Sequence, residues 1–432
     1  MAFRLLRTLG LAGLGLMLGL GSALPATPAR TASRRKAARP AAAEILGAGA
    51  LVPFFKALDA GQAPGSGRVV RILQFGDSHT AADFWTGELR RRFQAQWGDA
   101  GPGLLLPGLP WRGYAHEGTR WISGHRWPAE CVRRTSCDGV VGLAGAYLAA
   151  VPGETFRMTA PFADFQIHAV VDGEVLPLAW IAPEGEEGPG DPVTLEKRSF
   201  TPLPDGRTLV IAGPAQPFHP STRTLSFQLP DGARLLGIDL RSGAPGVLYD
   251  ELGLNGSELL NFGRWSPAVR DPLLAHVKPD LVVFAFGTNE AGRPLDELTD
   301  LRARLVPLLK AFRESAGAPV LLVGPLDRSS KGKAKRFQLN LQVKAVQEAM
   351  KAAAREAGCA YWDPRRAMGG PGAIVKWQRT GLAKKDLVHL TPKGYERLGD
   401  QMADALLQAR QTWQKATRPH PRPPRAKRPK AA

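Results

Sequence analysis

Four polar residues of this chain have the types and the order that cleavage of an ester through an acylated serine requires. They are Ser78, Asn289, Asp386 and His389. Such a site needs a nucleophile, a base that accepts its proton, a group that orients the base, and hydrogen-bond donors for the oxyanion. Asp386 and His389 are three residues apart, so one loop can hold both over Ser78. Ser, Asp, His is one of the chain orders found in catalytic triads.

The same reasoning selects three donors for the oxyanion. Ser78 follows an apolar run and precedes a helical pattern, which predicts a serine at a helix N-terminus with its N–H directed at the oxyanion. Asn289 offers a side-chain amide. Gly256 offers a backbone N–H with no side chain in the way.

These residues lie where an α/β pattern predicts the ends of strands and the starts of helices. Apolar runs at 69–75, 281–286, 319–323 and 359–362 predict buried strands, and helical stripes follow at 85–97, 298–312, 339–357 and 395–406. Thr391 and Pro392 predict the N-cap and first residue of the last helix. Strands alternating with helices predict a parallel sheet covered on both faces, with ligands beyond the carboxyl ends of its strands.

A different pattern interrupts this alternation. From about residue 110 to 248, short alternating stretches such as 165–171 and 225–229 are separated by turn signals including Asp172-Gly173 and Asp231-Gly232. Many short strands at close spacing predict a β-sandwich. Because the α/β pattern begins before this region and resumes after it, we expect an insertion. Four aromatic residues of this region either form a stacking surface for sugars or belong to the core of the β-sandwich. They are Trp111, Tyr114, Trp121 and Trp127.

Four sequence blocks resemble those of the SGNH (GDSL-type) hydrolase superfamily. They are Gly76-Asp77-Ser78, Gly256, Gly287-Thr288-Asn289, and Asp386-Leu387-Val388-His389. The resemblance implies a flavodoxin-like three-layer α/β/α hydrolase domain and esterase activity without a metal or cofactor. It assigns Ser78, Asp386 and His389 to catalysis, and the Ser78 N–H, the Gly256 N–H and the Asn289 side chain to the oxyanion hole.

Two longer strings are similar to those of bacterial peptidoglycan O-acetylesterases within that superfamily. They cover residues 75–83 and 98–103. The resemblance implies an inserted β-sandwich that is like a carbohydrate-binding module. Glu290 stands where the commoner superfamily form has Asp, as in the O-acetylesterase subgroup. The glycine block is degenerate, so Gly253 competes with Gly256, and we favour Gly256 because it adjoins a polar loop residue.

The predicted function is therefore removal of O-acetyl groups from a glycan, in the first place peptidoglycan, by an exported serine esterase. Two alternatives stay open at this point. An O-acyltransferase acting on a cell-envelope polysaccharide would use the same triad with a sugar hydroxyl in place of water. A non-catalytic glycan-binding scaffold would use the β-sandwich and keep a vestigial site.

The net charge of +18 lies mostly at the two ends of the chain. Residues 1–42 and 415–432 each carry seven cations and no acid, which leaves 43 cations and 39 acids between them. The middle is near neutral and lacks zinc-finger and RNA-binding signatures, so we expect no nucleic-acid partner. We expect the tails to be attracted weakly to anionic envelope polymers.

The N-terminus predicts an export signal. Arg4 and Arg7 precede an apolar run from Leu9 to Leu20, and small residues follow. The run is shorter than the roughly 20 residues of a spanning helix, so cleavage is favoured over retention as an anchor. The expected destination is the periplasm or cell envelope.

Five segments follow from these patterns. They are a signal peptide at 1–26, a basic Ala/Pro-rich linker at 27–42, a discontinuous hydrolase domain at 43–109 and 249–412, an inserted β-sandwich at 110–248, and a disordered basic Pro-rich tail at 413–432. In an oxidising compartment Cys131 and Cys137 have the spacing to close a short loop, and Cys359 is expected to be a buried free thiol. We expect no metal site, because no His pair has ligand spacing.

Overall fold

The computed structural model describes residues 43–63, 65–106, 108, 110–123, 127–186, 188, 190–331 and 337–417. The predicted signal peptide, the predicted linker and most of the predicted tail lie outside the described residues. None of the helices within the described ranges combines the length and the apolar character needed to cross a bilayer.

The described chain contains nineteen strands, eight α-helices and four short 3-10 helices. In chain order the strands are β1 (Val69–Gly76), β2 (Gly103–Leu105), β3 (Arg120–Ser123), β4 (Ala129–Cys131), β5 (Ala146–Ala149), β6 (Phe156–Phe162), β7 (Asp164–Asp172), β8 (Leu178–Pro183), β9 (Asp191–Val193), β10 (Leu195–Pro202), β11 (Arg207–Pro214), β12 (Ser221–Gln228), β13 (Arg234–Arg241), β14 (Gly246–Gly253), β15 (Leu281–Ala285), β16 (Val320–Val323), β17 (Ser329–Lys331), β18 (Phe337–Leu339) and β19 (Ala360–Trp362). The helices are α1 (Val52–Gly61), α2 (Phe84–Trp97), α3 (Pro267–Val277), α4 (Leu301–Ala316), α5 (Leu341–Glu356), α6 (Pro364–Met368), α7 (Ala373–Arg379) and α8 (Pro392–Thr417). Short 3-10 helices cover Ala48–Leu51, Leu259–Arg264, Glu290–Gly292 and Asp296–Leu298.

The central sheet is parallel, as the alternating pattern predicts. Its strands lie in the spatial order β14, β1, β15, β16, β19. Counted along the chain this order is second, first, third, fourth, fifth, which is the flavodoxin-like order. The strand order reverses between β1 and β15, so the crevice expected to hold a ligand opens beyond the carboxyl ends of these two strands.

Helices cover both faces of this sheet because side chains alternate along each strand. Phe75 and Phe284 point into one hydrophobic cluster, which α3, α4 and α5 complete. Ile72 and Val283 point into a second cluster, which α1, α2, α7 and α8 complete. Both clusters are buried, and the domain therefore has three α/β/α layers.

The strands between Gly103 and Arg241 are antiparallel and form two sheets. One contains β10, β11, β7, β13, β5 and β4 in that order, with β2 also paired to β13; the other contains β3, β6, β12, β8 and β9. Buried side chains of both sheets, such as Ile167 and Phe227, belong to one hydrophobic cluster. Similarity of this region to a carbohydrate-binding module stays a prediction.

A buried ion cluster joins the antiparallel region to the parallel sheet. The guanidinium of Arg71 on β1 donates to Asp239 on β13 at 2.8 and 2.9 Å and to Asp250 on β14 at 2.6 Å. Asp250 also accepts the N–H of Leu104 at 2.7 Å. Removing one member would leave a buried charge without its partner, which is strongly destabilising. The cluster therefore links β13 to β1 and β14 of the parallel sheet.

Helix α8 begins where expected and ends later than expected. Thr391 caps α8 by accepting the N–H of Gly394 at 3.3 Å, as predicted. Helix α8 continues to Thr417, so helical structure extends past the predicted start of the tail at residue 413.

Cys131, Cys137 and Cys359 are all free thiols. Cys359 is buried, as expected.

Candidate active site

Ser78 lies in a turn at the carboxyl end of β1. The N–H groups of Thr80 and Ala81 donate to the carbonyl of Asp77 at 3.0 and 3.2 Å, which closes the turn. The prediction that Ser78 opens a helix is wrong, because α2 begins only at Phe84. Asp83 separates the turn from the helix by adopting a left-handed backbone with φ of 56°.

The carboxylate of Asp83 binds side chains of the first two turns of α2. It accepts from the hydroxyl of Thr86 and from both terminal nitrogens of Arg90, at distances of 2.5 to 2.9 Å. These side chains are buried in the first two turns of α2. The apolar stripe at 85–97 matches the extent of α2, so only the expectation that Ser78 stands at the helix N-terminus is wrong.

Ser78, His389 and Asp386 form one hydrogen-bonded chain. Ser78 Oγ lies 2.9 Å from His389 Nε2, and His389 Nδ1 lies 2.9 Å from Asp386 Oδ2. Asp386 Oδ1 also accepts the backbone N–H groups of Val388 and His389, both at 3.0 Å. This geometry fits a tautomer in which Nδ1–H donates to Asp386 and Nε2 accepts from the serine hydroxyl.

The aspartate of this chain is kept ionised. Partial burial of Asp386 disfavours its charge, but the hydrogen bonds from Val388 and His389 outweigh this, and its pKa lies below the usual value. An ionised carboxylate stabilises the imidazolium that forms when His389 accepts a proton. The three side chains therefore have the geometry and charge of a nucleophile, a base and an orienting acid.

The loops after β14 and β15 lie beside the Ser78 turn. Leu254 donates its N–H to the carbonyl of Gly76 at 2.8 Å, and Asn289 Nδ2 donates to the carbonyl of Ser257 at 2.8 Å. Asn289 is half-buried and has a second amide proton, since its side chain carries two. Ser78, Asn289 and the Gly256 loop thus meet at the carboxyl edge of the sheet.

The structure distinguishes the two candidate glycines of the second block. The N–H of Gly253 donates to Glu251 Oε1 at 2.7 Å within buried β14, so it is engaged. Gly256 lies in an exposed loop with φ of +71°, a backbone conformation that favours glycine. This arrangement favours Gly256 over Gly253 as an oxyanion donor.

Glu290 ties the second and third blocks together. Its Oε1 accepts the N–H of Leu259 at 2.9 Å, and its Oε2 accepts the N–H of Gly287 at 3.0 Å. The side chain is buried, and burial raises its pKa to about 8, although the N–H groups of Leu259 and of Glu290 itself favour the anion. One carboxyl group therefore sets the distance between the loop that carries Gly256 and the loop that carries Asn289.

A second polar layer under the site was not predicted from the sequence. His79 is buried, and its Nδ1 lies 2.8 Å from the hydroxyl of Tyr395 on α8. Burial, and to a lesser degree the nearby His389, lowers the pKa of His79 to about 3, so this ring is neutral. Its ring centre is 5.2 Å from that of His389. His79 therefore packs beside the His389 ring and binds Tyr395 of α8.

Sequence reasoning also missed Arg328. It follows β16, and its Nη1 donates to the carbonyl of Thr288, next to Asn289, at 2.7 Å. Burial lowers its pKa, while the proximity of Asp77 acts in the opposite direction. The one available signal was the position of Arg328 after the end of a parallel strand. It was missed because Arg328 lies in a long loop and belongs to none of the four sequence blocks.

The antiparallel region also reaches the site. Asn255 Nδ2 donates to the carbonyl of Arg112 at 3.0 Å, which joins the Gly256 loop to the segment after β2. Among the aromatic residues considered for sugar stacking, Tyr114 and Trp127 are buried, whereas Trp111 and Trp121 are half-buried against the core. For Tyr114 and Trp127 the core role is the one observed.

Comparison with known proteins identifies a family model and a solved structure that resemble this chain. Residues 227–397 match the model of the GDSL-like lipase/acylhydrolase family. A solved structure described as a peptidoglycan O-acetylesterase in action is 26% identical, with a TM-score of 0.64; the match covers 83% of this chain and 96% of that chain. No curated protein matches the chain.

Two further solved structures resemble this chain less. A GDSL-like lipase from Bacteroides thetaiotaomicron is 16% identical, with a TM-score of 0.27, and the match covers 38% of this chain and 76% of that one. A Bacillus subtilis protein is 15% identical, with a TM-score of 0.32, and the match covers 70% of this chain and 96% of that one.

The fold, the family model and the first structural match define this protein as a carboxylic ester hydrolase. The predicted resemblance to the SGNH (GDSL-type) hydrolases is confirmed. So is the narrower resemblance to peptidoglycan O-acetylesterases, because the match to a solved structure of one covers 83% of this chain.

Proposed function

We propose that this protein removes O-acetyl groups from peptidoglycan through an acyl-enzyme on Ser78. The observation that carries the proposal is the chain of hydrogen bonds from Ser78 Oγ through His389 to Asp386. It supplies a nucleophile already in contact with its base. The similarity to a peptidoglycan O-acetylesterase over 83% of the chain supports an O-acetylated glycan as the substrate.

The first half of the reaction forms the acyl-enzyme. His389 Nε2 takes the proton of the Ser78 hydroxyl as Oγ bonds to the acetyl carbonyl carbon, and the carbonyl oxygen becomes an oxyanion. The N–H groups of Ser78 and Gly256 and the free amide proton of Asn289 stabilise that oxyanion. The bond to the sugar oxygen then breaks, and the sugar leaves with the proton from His389.

The second half regenerates the enzyme. Water loses a proton to His389 and attacks the acetyl carbonyl, the same donors stabilise the oxyanion, and acetate leaves as Ser78 Oγ regains its proton. A sugar hydroxyl in place of water would make the protein an acyltransferase. The intact hydrogen-bonded chain is evidence against a scaffold with a vestigial site.

We also propose that the protein acts outside the cytoplasm. The apolar run near the N-terminus and the substrate proposed above support export, with the antiparallel region binding the glycan. The cationic C-terminal segment would add a weak, salt-sensitive attraction to anionic polymers. Deleting residues 418–432 should then reduce envelope binding at low salt and leave acetate release from a soluble ester unchanged.

One experiment separates the proposed function from its alternatives. The purified protein is incubated with O-acetylated and with chemically de-acetylated peptidoglycan, and both released acetate and pelleted protein are measured. We expect acetate from the acetylated polymer only. Pelleting without acetate would support a scaffold, and acetyl groups on an added glycan acceptor would support transfer.

A further inference from the structure

Arg133 lies beside the glycine that is proposed to bind the oxyanion. It belongs to the turn after β4 of the antiparallel region and is exposed. A Cβ atom placed on Gly256 would lie 3.6 Å from Arg133 Cδ and 3.8 Å from Arg133 Nε. A substrate carbonyl held by the Gly256 N–H would therefore bring its neighbouring groups within reach of this guanidinium.

The turn that carries Arg133 is fixed to the hydrolase domain. The carbonyl of Val132 accepts from Arg264 Nη1 of the hydrolase domain at 3.0 Å, and the N–H of Val132 donates to the carbonyl of Gly145 within the antiparallel region at 2.9 Å. Two further bonds join the antiparallel region to the hydrolase domain. The N–H of Ser266 donates to the carbonyl of Gly139, and Trp265 Nε1 donates to the carbonyl of Val141, both at 3.0 Å. Arg133 is thus held at the site by the fold rather than by its own side chain.

The guanidinium of Arg133 has no ion-pair or hydrogen-bond partner among the described residues. The neighbouring Arg134 pairs with Glu130 at 3.4 Å. Glu258, the acid nearest in sequence to Gly256, pairs with Arg293 at 2.6 Å. An unpaired guanidinium offers two parallel N–H donors to a carboxylate.

We propose that Arg133 binds a carboxylate of the substrate next to the acetyl group under attack, and so selects acidic over neutral acetylated glycans. This inference rests on the proposed function. In peptidoglycan the carboxylate would belong either to the lactyl ether of the acetylated sugar or to its stem peptide. The antiparallel region then contributes directly to substrate choice at the catalytic site.

The test measures binding of three probes to the full chain carrying Ser78→Ala, which prevents turnover. The probes are an O-acetylated muramic acid disaccharide with a free lactyl carboxylate, its lactyl methyl ester, and an O-acetylated muropeptide with stem-peptide carboxylates. Dissociation constants are obtained by calorimetry without a second substitution, with Arg133→Ala, and with Arg134→Ala as the matched control.

We expect one of the two acidic probes to bind roughly ten- to a hundredfold more tightly than the methyl ester, and Arg133→Ala to abolish that preference. The acidic probe that binds more tightly identifies the source of the carboxylate. Equal binding of all three probes, a preference that survives Arg133→Ala, or an equal loss in Arg134→Ala would overturn the inference. Acetate release by the unsubstituted chain tests the proposed function separately.

Discussion

Ser78 Oγ lies 2.9 Å from His389 Nε2, although the two residues are 311 positions apart in the chain. Ser78 ends up there because β1 is an inner strand of the parallel sheet and its carboxyl end faces the crevice. His389 lies in the short loop before α8. Tyr395 of α8 in turn binds His79, the residue after the nucleophile. The nucleophile and its base are therefore in contact before any substrate binds.

The orientation of His389 depends on Asp386, so Asp386→Asn should reduce turnover strongly. The new amide would donate to His389 Nδ1, which would place the proton on Nε2 and prevent it from accepting the serine proton. We expect a fall in kcat of roughly three to four orders of magnitude. Steady-state kinetics on a soluble acetate ester, with circular dichroism as a check on folding, measure it. A loss below about tenfold would contradict the assignment of Asp386 as the orienting acid.

Asn289→Ala should lower kcat by about two to three orders of magnitude and change KM little. The physical reason is that the free amide proton is needed when negative charge develops on the carbonyl oxygen. Kinetics on the same soluble ester separate the two constants. If KM rose while kcat stayed constant, Asn289 would position the substrate and would not stabilise the oxyanion.

Glu290→Gln should destabilise the fold and lower activity together. Glutamine would turn an NH2 group toward the N–H of Leu259 or Gly287 and leave a buried donor unpaired, at a cost of about 1–3 kcal/mol. Chemical denaturation measures the free energy of unfolding. Glu297→Gln is the matched control, because Glu297 is exposed and pairs with Arg293 at the surface. Equal stability of the two variants would contradict the bridging role of Glu290.

Asp77 should make stability fall as pH rises. Burial raises its pKa from the usual 3.8 to about 7, against the hydrogen bond from the His79 N–H. Between about pH 4 and pH 7 the unfolded chain has lost this proton while the folded chain keeps it, so the free energy of unfolding decreases with pH. The decrease from this one group is at most about 4 kcal/mol.

Asp77→Asn tests this linkage because asparagine does not titrate. The free energy of unfolding is measured by denaturation between pH 4 and pH 8 in both proteins. We expect the variant to gain stability relative to the unsubstituted chain as pH rises through this window. Parallel pH profiles would show that Asp77 is ionised in the folded protein at neutral pH.

The sequence predicts more of the parallel sheet than of the side-chain contacts at the site. Apolar runs place β1, β15 and β16 because strands buried on both faces leave continuous hydrophobic segments. The blocks around Ser78, Asn289 and His389 meet because the parallel topology puts their loops at one edge. Long-range side-chain contacts leave no such pattern. The bond from Arg328 to the Thr288 carbonyl and the bond from Arg90 to the Asp83 carboxylate depend on side-chain geometry that sequence spacing does not encode.

The most direct test of the account is acetate release by Ser78→Ala. The unsubstituted chain and the variant are incubated with O-acetylated peptidoglycan and with a soluble acetate ester, and free acetate is measured over time. Removing Oγ deletes the nucleophile and leaves the hydrogen bonds that close the turn at Asp77 in place. The account predicts acetate from the unsubstituted chain and none above background from an equally stable variant. Undiminished acetate release by Ser78→Ala would contradict it.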